Sequence, residues 1–284
     1  MGGITGHEPR VITRRLLRVS ERIYAGPRRD SGEGRRGWVW TLPFIFAGLT
    51  VLGQILWVLA GPADRVLLTI ATVITFFLST VSHALIHRGA GWTGVYLLIT
   101  LGFGWGIEFI GTRTQFPFGD YIYASLLGPQ LLGVPLVIPL AWSMMAYPCL
   151  LAVQRLVRTE LAVALVGGFL LASWDLFLDP QMVGESYWTW RLVTYTLPGI
   201  PDIPLQNFLG WFLASFILML LLSILPKTVA RDGAPRFMLS WIFVSNVFAN
   251  LVFFDRPGVA LWGAACMGAV IIPFWYRIWS QPQW

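Results

Sequence analysis

The sequence predicts an all-α integral membrane protein, a polytopic bundle of about eight transmembrane helices, with seven as the alternative count. Two observations lead to this fold class. Hydrophobic residues make up 56% of the chain and charged residues only 12%, whereas a soluble domain carries about 25% charged residues. The apolar residues are also collected in runs close to the ~20 residues that a helix needs to cross a bilayer. So few charges could not cover a soluble globule of this size.

The apolar runs follow one another along the whole chain. They are placed at 39–60, 65–87, 93–110, 131–153, 160–178, 205–225, 236–254 and 258–276. The 15 Trp and 8 Tyr residues suit a protein with two boundaries between water and lipid, where amphipathic rings settle. The sequence therefore divides into a basic tail (1–37) that is partly disordered or interfacial, a transmembrane domain (38–278) and a short C-terminal tail (279–284).

The positive charges are distributed unevenly across the predicted spans. Sixteen of the 20 Lys and Arg residues fall on the side of the N-terminus. Because positive residues concentrate in cytoplasmic loops, we expect a multi-pass protein of the cell membrane with both termini in the cytoplasm. Arginines are dense in the N-terminal tail, but no aromatic stacking platform accompanies them. The tail is therefore interpreted as an anchor for anionic lipid, and no nucleic acid is expected as a partner.

Two connections on the opposite side, 111–130 and 179–204, are long and rich in Gly, Pro and aromatic residues. Solvated loops are seldom so aromatic, so we expect both to fold back over the helix ends as caps. Trp188 and Trp190, in the second loop, are typical of an interfacial belt or of the lining of an opening for a polyene chain. The Asp179-Pro180 step is expected to end the fifth span.

Ionisable side chains within membrane spans are costly and therefore point to function. Glu108 lies near the outer end of the third span. Asp175 and Asp179 lie at the outer end of the fifth, four residues apart and so on one helix face. Burial beside other carboxyl groups favours the neutral acid, which general-acid chemistry needs. The other polar residues predicted at this end are Asp120, Arg113, Glu185, Arg191, Asn207, Asn246 and Asn250. The structural alternative is that the acids simply pair with Arg113 and Arg191.

No metal or cofactor is predicted. His83 and His87 have a spacing that can chelate a metal, but they lie toward the other end of the bundle, and a packing role is expected for them. The segment from Asp175 to Asp179 superficially resembles the Asp-rich motif with which membrane prenyltransferases bind magnesium diphosphate. Those enzymes need two such motifs, and the sequence has one.

Two longer stretches carry more specific patterns. The first comprises Glu108-Phe-Ile-Gly-Thr112, Phe116-Pro-Phe-Gly-Asp-Tyr-Ile-Tyr123, Leu127-Gly-Pro129, Gly133-Val-Pro-Leu136 and Trp142. The second comprises Asp175-Leu-Phe-Leu-Asp-Pro-Gln-Met182, Tyr187-Trp-Thr-Trp190, Gly199-Ile-Pro201, Pro204 and Asn207-Phe-Leu-Gly-Trp211. They resemble the signatures of the membrane carotenoid biosynthesis proteins, which include bisanhydrobacterioruberin hydratases of archaea and gamma-carotene or lycopene 1,2-hydratases of bacteria.

The resemblance implies hydration of the terminal isopropylidene double bond of an acyclic (psi) carotenoid end, without a cofactor. Lycopene, gamma-carotene or a C50 precursor is the expected substrate, and the lipid bilayer and other enzymes of the pathway are the expected partners. The matching acids are Glu108, Asp120, Asp175 and Asp179. Asp175 or Glu108 is expected to donate the proton, with Asp179 as its partner. Residues expected to bind substrate or close the cap are Arg113, Tyr121, Tyr123, Trp188, Trp190, Arg191, Asn207, Asn246 and Asn250.

Two other functions remain open at this point. A membrane prenyl or glycosyl transferase acting on carotenoid or isoprenoid lipids would depend on magnesium and an activated donor. A non-catalytic carotenoid carrier or scaffold would release its pigment unchanged, and it would not need the acid cluster.

Overall fold

The computed structural model describes residues 37–227 and 231–280, so the predicted basic tail lies outside the described residues except for Gly37. Helices dominate these two ranges: α1 (Leu42–Leu59), α2 (Pro62–Thr114), α3 (Val137–Leu156), α4 (Glu160–Gly184), α5 (Leu205–Leu222), α6 (Gly233–Val252) and α7 (Pro257–Ser280). Six helices, all except α6, are long and apolar enough to cross a membrane by length and composition. The predicted all-α polytopic bundle is confirmed, and the protein is a multi-pass membrane protein.

Helix α2 contains two of the predicted spans. Its 53 residues would extend about 80 Å if straight, far beyond the ~30 Å hydrocarbon layer of a bilayer. At Gly89 the backbone leaves the helical region, with φ 83° and ψ 165°, and the chain reverses. Both ends of α2 accordingly reach the same side of the bundle, where Arg65 pairs with Glu185 at 2.8 Å and Glu108 binds Tyr121. With α2 counted as two arms, the six candidate spans become seven, the alternative count of the prediction, and α6 is a further helix of the bundle.

The two long connections join into a single cap over the helix ends. Strand β1 (Tyr121–Tyr123) of the first lies antiparallel to strand β4 (Trp188–Trp190) of the second. Each connection also forms a hairpin of its own, and these are β2 (Gln130–Leu131) with β3 (Val134–Pro135), and β5 (Thr196–Leu197) with β6 (Ile200–Pro204). In the first hairpin Leu132 and Gly133 both have positive φ, as a two-residue type I′ turn requires. The expectation of capping loops is confirmed.

The expectation that Asp179-Pro180 ends its helix is wrong, because α4 continues past Pro180 to Gly184. A proline removes only its own N–H from the helix ladder. The following turn is closed by the Glu185 N–H, which donates to the Gln181 carbonyl at 3.2 Å. Arg256, just before α7, donates through Nη1 to the Pro180 carbonyl at 2.8 Å. Asp179 therefore lies inside a helix whose last turn is secured from a neighbouring segment.

An ionic cluster secures the opposite side of the bundle. Asp232, before α6, is 4% exposed and accepts hydrogen bonds from Nε and Nη2 of Arg155 at 3.1 and 2.5 Å. Arg88 lies 3.7 Å from the same carboxylate and donates to the Tyr147 hydroxyl at 3.2 Å. That hydroxyl also bonds Nδ1 of His83 at 2.9 Å. The cluster ties α2 and α3 to the start of α6.

Helices α4 and α5 approach closely at Gly168, where an added Cβ would lie 2.7 Å from the backbone nitrogen of Phe216. We expect Gly168→Ala to lower the free energy of unfolding by about 1–3 kcal/mol, as overpacking does. The matched variant is Gly102→Ala in α2, where a Cβ meets nothing within 4 Å. Thermal unfolding in detergent, followed by Trp fluorescence, should place Gly168→Ala below the wild-type midpoint and Gly102→Ala at or above it. Equal midpoints would contradict the close approach.

Candidate functional site

The carboxyl group of Glu108 on α2 is 3% exposed and receives three hydrogen bonds. The hydroxyls of Tyr121 and Tyr123 donate to Oε2 at 2.5 and 2.8 Å, and Nε1 of Trp142 donates to Oε1 at 3.0 Å. An indole N–H can only donate, so Oε1 accepts in this arrangement. Three donors directed at one carboxyl group suit its ionised form, which can accept a hydrogen bond at every lone pair.

Strand β1 aims both tyrosines at this carboxylate. Side chains alternate across a strand, so Tyr121 and Tyr123 share one face and Ile122, 43% exposed, takes the other. Burial, and after it the proximity of Glu108, raises the pKa of both tyrosine hydroxyls. The two hydroxyls therefore keep their protons at physiological pH and remain donors.

Asp175 and Asp179, one turn apart on α4, both accept a hydrogen bond from the side-chain amide of Asn207. Nδ2 of Asn207, near the start of α5, donates to Oδ2 of Asp175 at 2.8 Å and also to Oδ2 of Asp179. Nε1 of Trp188 on β4 donates to Oδ1 of Asp179 at 3.0 Å. Oδ1 of Asp175 is buried and has no hydrogen-bond partner within the described chain. The pair is thus held by an amide and an indole rather than by a positive charge.

A small cavity, here called the acid cavity, lies between Glu108 and this pair. Its volume is about 30 Å³, which is room for one or two water molecules. Glu108, Asp179 and Asn207 border it, whereas Asp175 does not. The remaining wall is largely aromatic, formed by Phe118, Tyr121, Tyr123, Trp142, Trp188, Trp190 and Trp211. The cavity therefore presents carboxyl groups to a space enclosed by ring faces and edges.

Two tryptophans of this wall are not among the predicted site residues. The rings of Trp142 and Trp211 stack with centroids 4.1 Å apart and planes 5° apart, and Trp174 meets Trp211 edge-on at 6.2 Å. Both Trp142 and Trp211 stand in the quoted sequence motifs. The signal that could have singled them out is their depth, because each lies more than one turn inside its helix rather than in the interfacial belt.

The acid cavity adjoins a much larger one, here called the apolar cleft, of about 390 Å³. The cleft lies among α1, the first arm of α2, α3, α4 and α6. Ile138, Ala141, Leu178 and Trp188 border both spaces. At its other end the lining includes Ile55, Leu59, Phe248 and Phe253, which are between 47% and 76% exposed. The cleft therefore leads from the lipid-facing surface between α1 and α6 to the buried acids.

Three predicted residues lie on the outer surface of the cap instead of in the acid cavity. Asp120 pairs with Arg191 at 3.5 Å on the outside of the cap, where the Arg191 side chain is 63% exposed. Arg113 donates to the Leu132 carbonyl at 3.0 Å and covers the ring of Phe109. These side chains lie on the outer surface of the cap. The positions of the cap that face the acid cavity are occupied by Tyr121, Tyr123, Trp188 and Trp190.

Of the other predicted residues, Trp190 borders the acid cavity, Asn246 borders the apolar cleft, and Asn250 borders neither. Trp190 borders the acid cavity, and its Nε1 donates to the Phe118 carbonyl at 3.0 Å. Asn246 lines the apolar cleft, and its Nδ2 donates to the Ile242 carbonyl at 2.8 Å. Asn250 is buried and donates to the Asn246 carbonyl at 2.9 Å. Among residues 37–227 and 231–280, no three His, Cys, Asp or Glu side chains are placed to share a metal ion.

We expect Tyr121→Phe to destabilise the protein, because a buried carboxylate loses a donor that nothing else replaces. The expected loss is about 1–3 kcal/mol of unfolding free energy. Tyr195→Phe is the matched control, since Tyr195 is 78% exposed. Thermal unfolding in detergent gives the comparison, and a Tyr121→Phe midpoint equal to that of Tyr195→Phe would show that the hydroxyl is not a needed partner of Glu108.

Comparison with known proteins gives two matches. Residues 64–274 match the family model described as carotenoid biosynthesis protein. Over 201 residues the chain is 33% identical to a bisanhydrobacterioruberin hydratase of Haloarcula japonica, and the match covers 64% of each chain. The chain thus spans just under two thirds of that relative's length. No solved structure matches.

Proposed function

Since the chain belongs to the carotenoid biosynthesis protein family, we propose that it is a carotenoid hydratase. It adds water to the terminal isopropylidene double bond of an acyclic (psi) carotenoid end and gives a tertiary alcohol. The observation that carries this proposal is the junction of a lipid-facing apolar cleft with a cavity bordered by buried carboxyl groups. The relative from Haloarcula japonica, named a hydratase, supports the same class of reaction.

The substrate reaches the acids from the bilayer. A carotenoid dissolved among the lipid chains enters between α1 and α6, past Leu59 and Phe253. The polyene then lies in the apolar cleft, and its end passes Ala141 and Leu178 into the acid cavity. Lycopene, gamma-carotene and a C50 precursor all present such an end, so the cleft is proposed to accept one psi end at a time.

We propose different roles for the three acids, and their hydrogen bonds support this division. Glu108 takes three donors and is proposed to remain a carboxylate. Asp175 and Asp179 surround one amide, where two negative charges would repel each other, so the pair is proposed to hold one proton. Of the two, Asp179 borders the acid cavity. We therefore assign proton donation to Asp179 and the role of partner to Asp175, the reverse of the order expected from the sequence.

The reaction proceeds by proton transfer and water capture. The alkene π electrons take the proton of Asp179 onto the less substituted carbon, which leaves a tertiary carbocation. The carboxylate of Glu108 and the indoles of Trp142 and Trp211 stabilise this cation. A water oxygen then bonds to the cationic carbon, and the water loses one proton to the Asp179 carboxylate, which restores the donor. The substrate gains H₂O with no net electron transfer, so the reaction requires no redox cofactor.

The orientation in the membrane is proposed from the charges of the described residues. Four arginines lie at the cap end, Arg65, Arg113, Arg191 and Arg256, whereas the other end holds Arg88, Arg155, Arg158, Lys227, Arg231, Arg236 and Arg277. Positive residues favour the cytoplasmic side. We therefore place the cap and the acid cavity toward the non-cytoplasmic face of the cell membrane and both termini in the cytoplasm.

Co-expression in a lycopene-producing bacterial host tests the function. We expect extracted pigment that has gained the mass of one water and elutes earlier in reversed-phase chromatography. The added oxygen should be labelled by growth in H₂¹⁸O and not by ¹⁸O₂. The same assay is run with hosts that make gamma-carotene and a C50 precursor. If none of the three pigments is hydrated although the protein is present in the membrane, the proposal is wrong.

We expect Asp179→Asn to abolish hydration, because an amide cannot supply the proton. The loss should be about 10²- to 10⁴-fold, the contribution of a general acid. Asp202→Asn, on the exposed side of β6, is the matched control and should keep wild-type activity. Activity is measured on protein in lipid nanodiscs whose unfolding midpoint matches the wild type. A folded Asp179→Asn variant with wild-type turnover would remove Asp179 from the donor role.

A further inference from the structure

Every turnover of the proposed reaction consumes one water molecule at a site that is reached through an apolar cleft. During the reaction the polyene itself fills that cleft and separates the acid cavity from the bilayer side. The acid cavity holds one or two waters at most, given its volume of about 30 Å³. While a polyene occupies the apolar cleft, water that replaces the consumed molecule must therefore reach the acid cavity by another route.

A second small cavity lies on the other side of the aspartate pair. This hairpin cavity measures about 20 Å³, enough for one water molecule. Asp175, Asp179 and Asn207 form one wall, and the β5–β6 hairpin forms the other through Leu197, Ile200 and Ile203. Asp179 and Asn207 thus border both small cavities, and the aspartate pair stands between them.

A buried oxygen atom without a hydrogen-bond partner also lies at the hairpin cavity. Oδ1 of Asp175 is the buried acid oxygen at this end of the described chain that has no hydrogen-bond partner, in a residue that is 1% exposed. Buried polar atoms without a protein partner are commonly satisfied by ordered water. Of the two small cavities, Asp175 borders only the hairpin cavity.

The hairpin is a thin and well-anchored wall. Its inward residues Ile200 and Ile203 are buried, whereas Pro201 and Asp202 of the same strand are exposed on the outer surface of the cap. An added Cβ at Gly199, in the turn, would lie 2.9 Å from Cα of Gly258, so the tip packs backbone against backbone on α7. A single layer of chain therefore separates the hairpin cavity from the exposed surface of the cap.

We propose that the hairpin cavity is the water port of the enzyme. This inference rests on the proposed hydratase function and adds to it a separate route for the second substrate. Water enters beneath the β5–β6 hairpin, binds Asp175 and passes the aspartate pair into the acid cavity. There its oxygen bonds to the carbocation and one of its protons returns to the Asp179 carboxylate. Carotenoid and water thus reach the reacting carbon from opposite sides.

Filling the hairpin cavity tests the port. Ile203→Phe places a larger side chain in the cavity, and Asp202→Phe places the same side chain one residue away on the exposed face. Each protein is reconstituted in nanodiscs with the carotenoid that the wild type hydrates, and the rate of hydration over many turnovers and the amount of bound pigment are measured. We expect Ile203→Phe to bind pigment normally but to hydrate it at least about tenfold more slowly. Asp202→Phe should match the wild type, and Ile203→Ala should hydrate at the wild-type rate or faster.

The outcomes separate this inference from the function itself. A wild-type protein that hydrates none of the psi-ended carotenoids overturns the proposed function. A wild type that hydrates, together with a folded Ile203→Phe variant that hydrates equally fast, overturns the water port alone. If Ile203→Phe does not fold, Leu205→Phe fills the same cavity from the start of α5, and its rate decides by the same comparison.

Discussion

The burial of carboxyl groups at membrane depth is the constraint on which the rest of this structure depends, because an unsatisfied acid there is costly. The partners of Glu108 come from β1 and α3, and those of Asp179 from β4 and α5. None comes from the helix that carries the acid. The β1–β4 pairing sets Tyr123 directly opposite Trp188, so one short ladder places a donor to Glu108 beside a donor to Asp179. The cap is therefore part of the site rather than a cover over it.

The two ends of the bundle satisfy buried acids in different ways. At the end opposite the cap, Asp232 is paired with Arg155, whose guanidinium group carries a permanent positive charge. Around Glu108 and the aspartate pair, the hydrogen-bond donors are phenols, indoles and an amide. These donors carry no charge, in contrast to the guanidinium group of Arg155. The first cluster is suited to anchoring helices, and the second to moving a proton.

The sequence could predict the spans, the capping loops and the three acids, because length, apolar runs and in-span charges are local signals. It could not separate Asp120 from Asp179, since both stand among aromatic residues and only the strand pairing shows which one faces outward. For a related reason the sequence does not predict that Trp142 and Trp211 line the acid cavity. Their stacking joins helices that are distant in sequence, and a tryptophan in a span gives no local sign of its partner. The continuation of α4 past Pro180 depends likewise on Arg256, which lies 76 residues away.

The pairing of β1 with β4 also determines when the site is completed during synthesis. Two whole helices, α3 and α4, lie between these strands, and a chain is made from its N-terminus. Glu108 is therefore synthesised before any of its three donors, and the aspartates precede both Trp188 and Asn207. Until the cap and α5 are made, the acids lack these hydrogen-bond donors. The arrangement of acids and donors is thus a late product of biogenesis. A ribosome stalled before Asn207 has made α1 to α4 and the β1 and β4 strands but not α6 or α7, and the aspartate pair of that chain lacks the amide that bridges it.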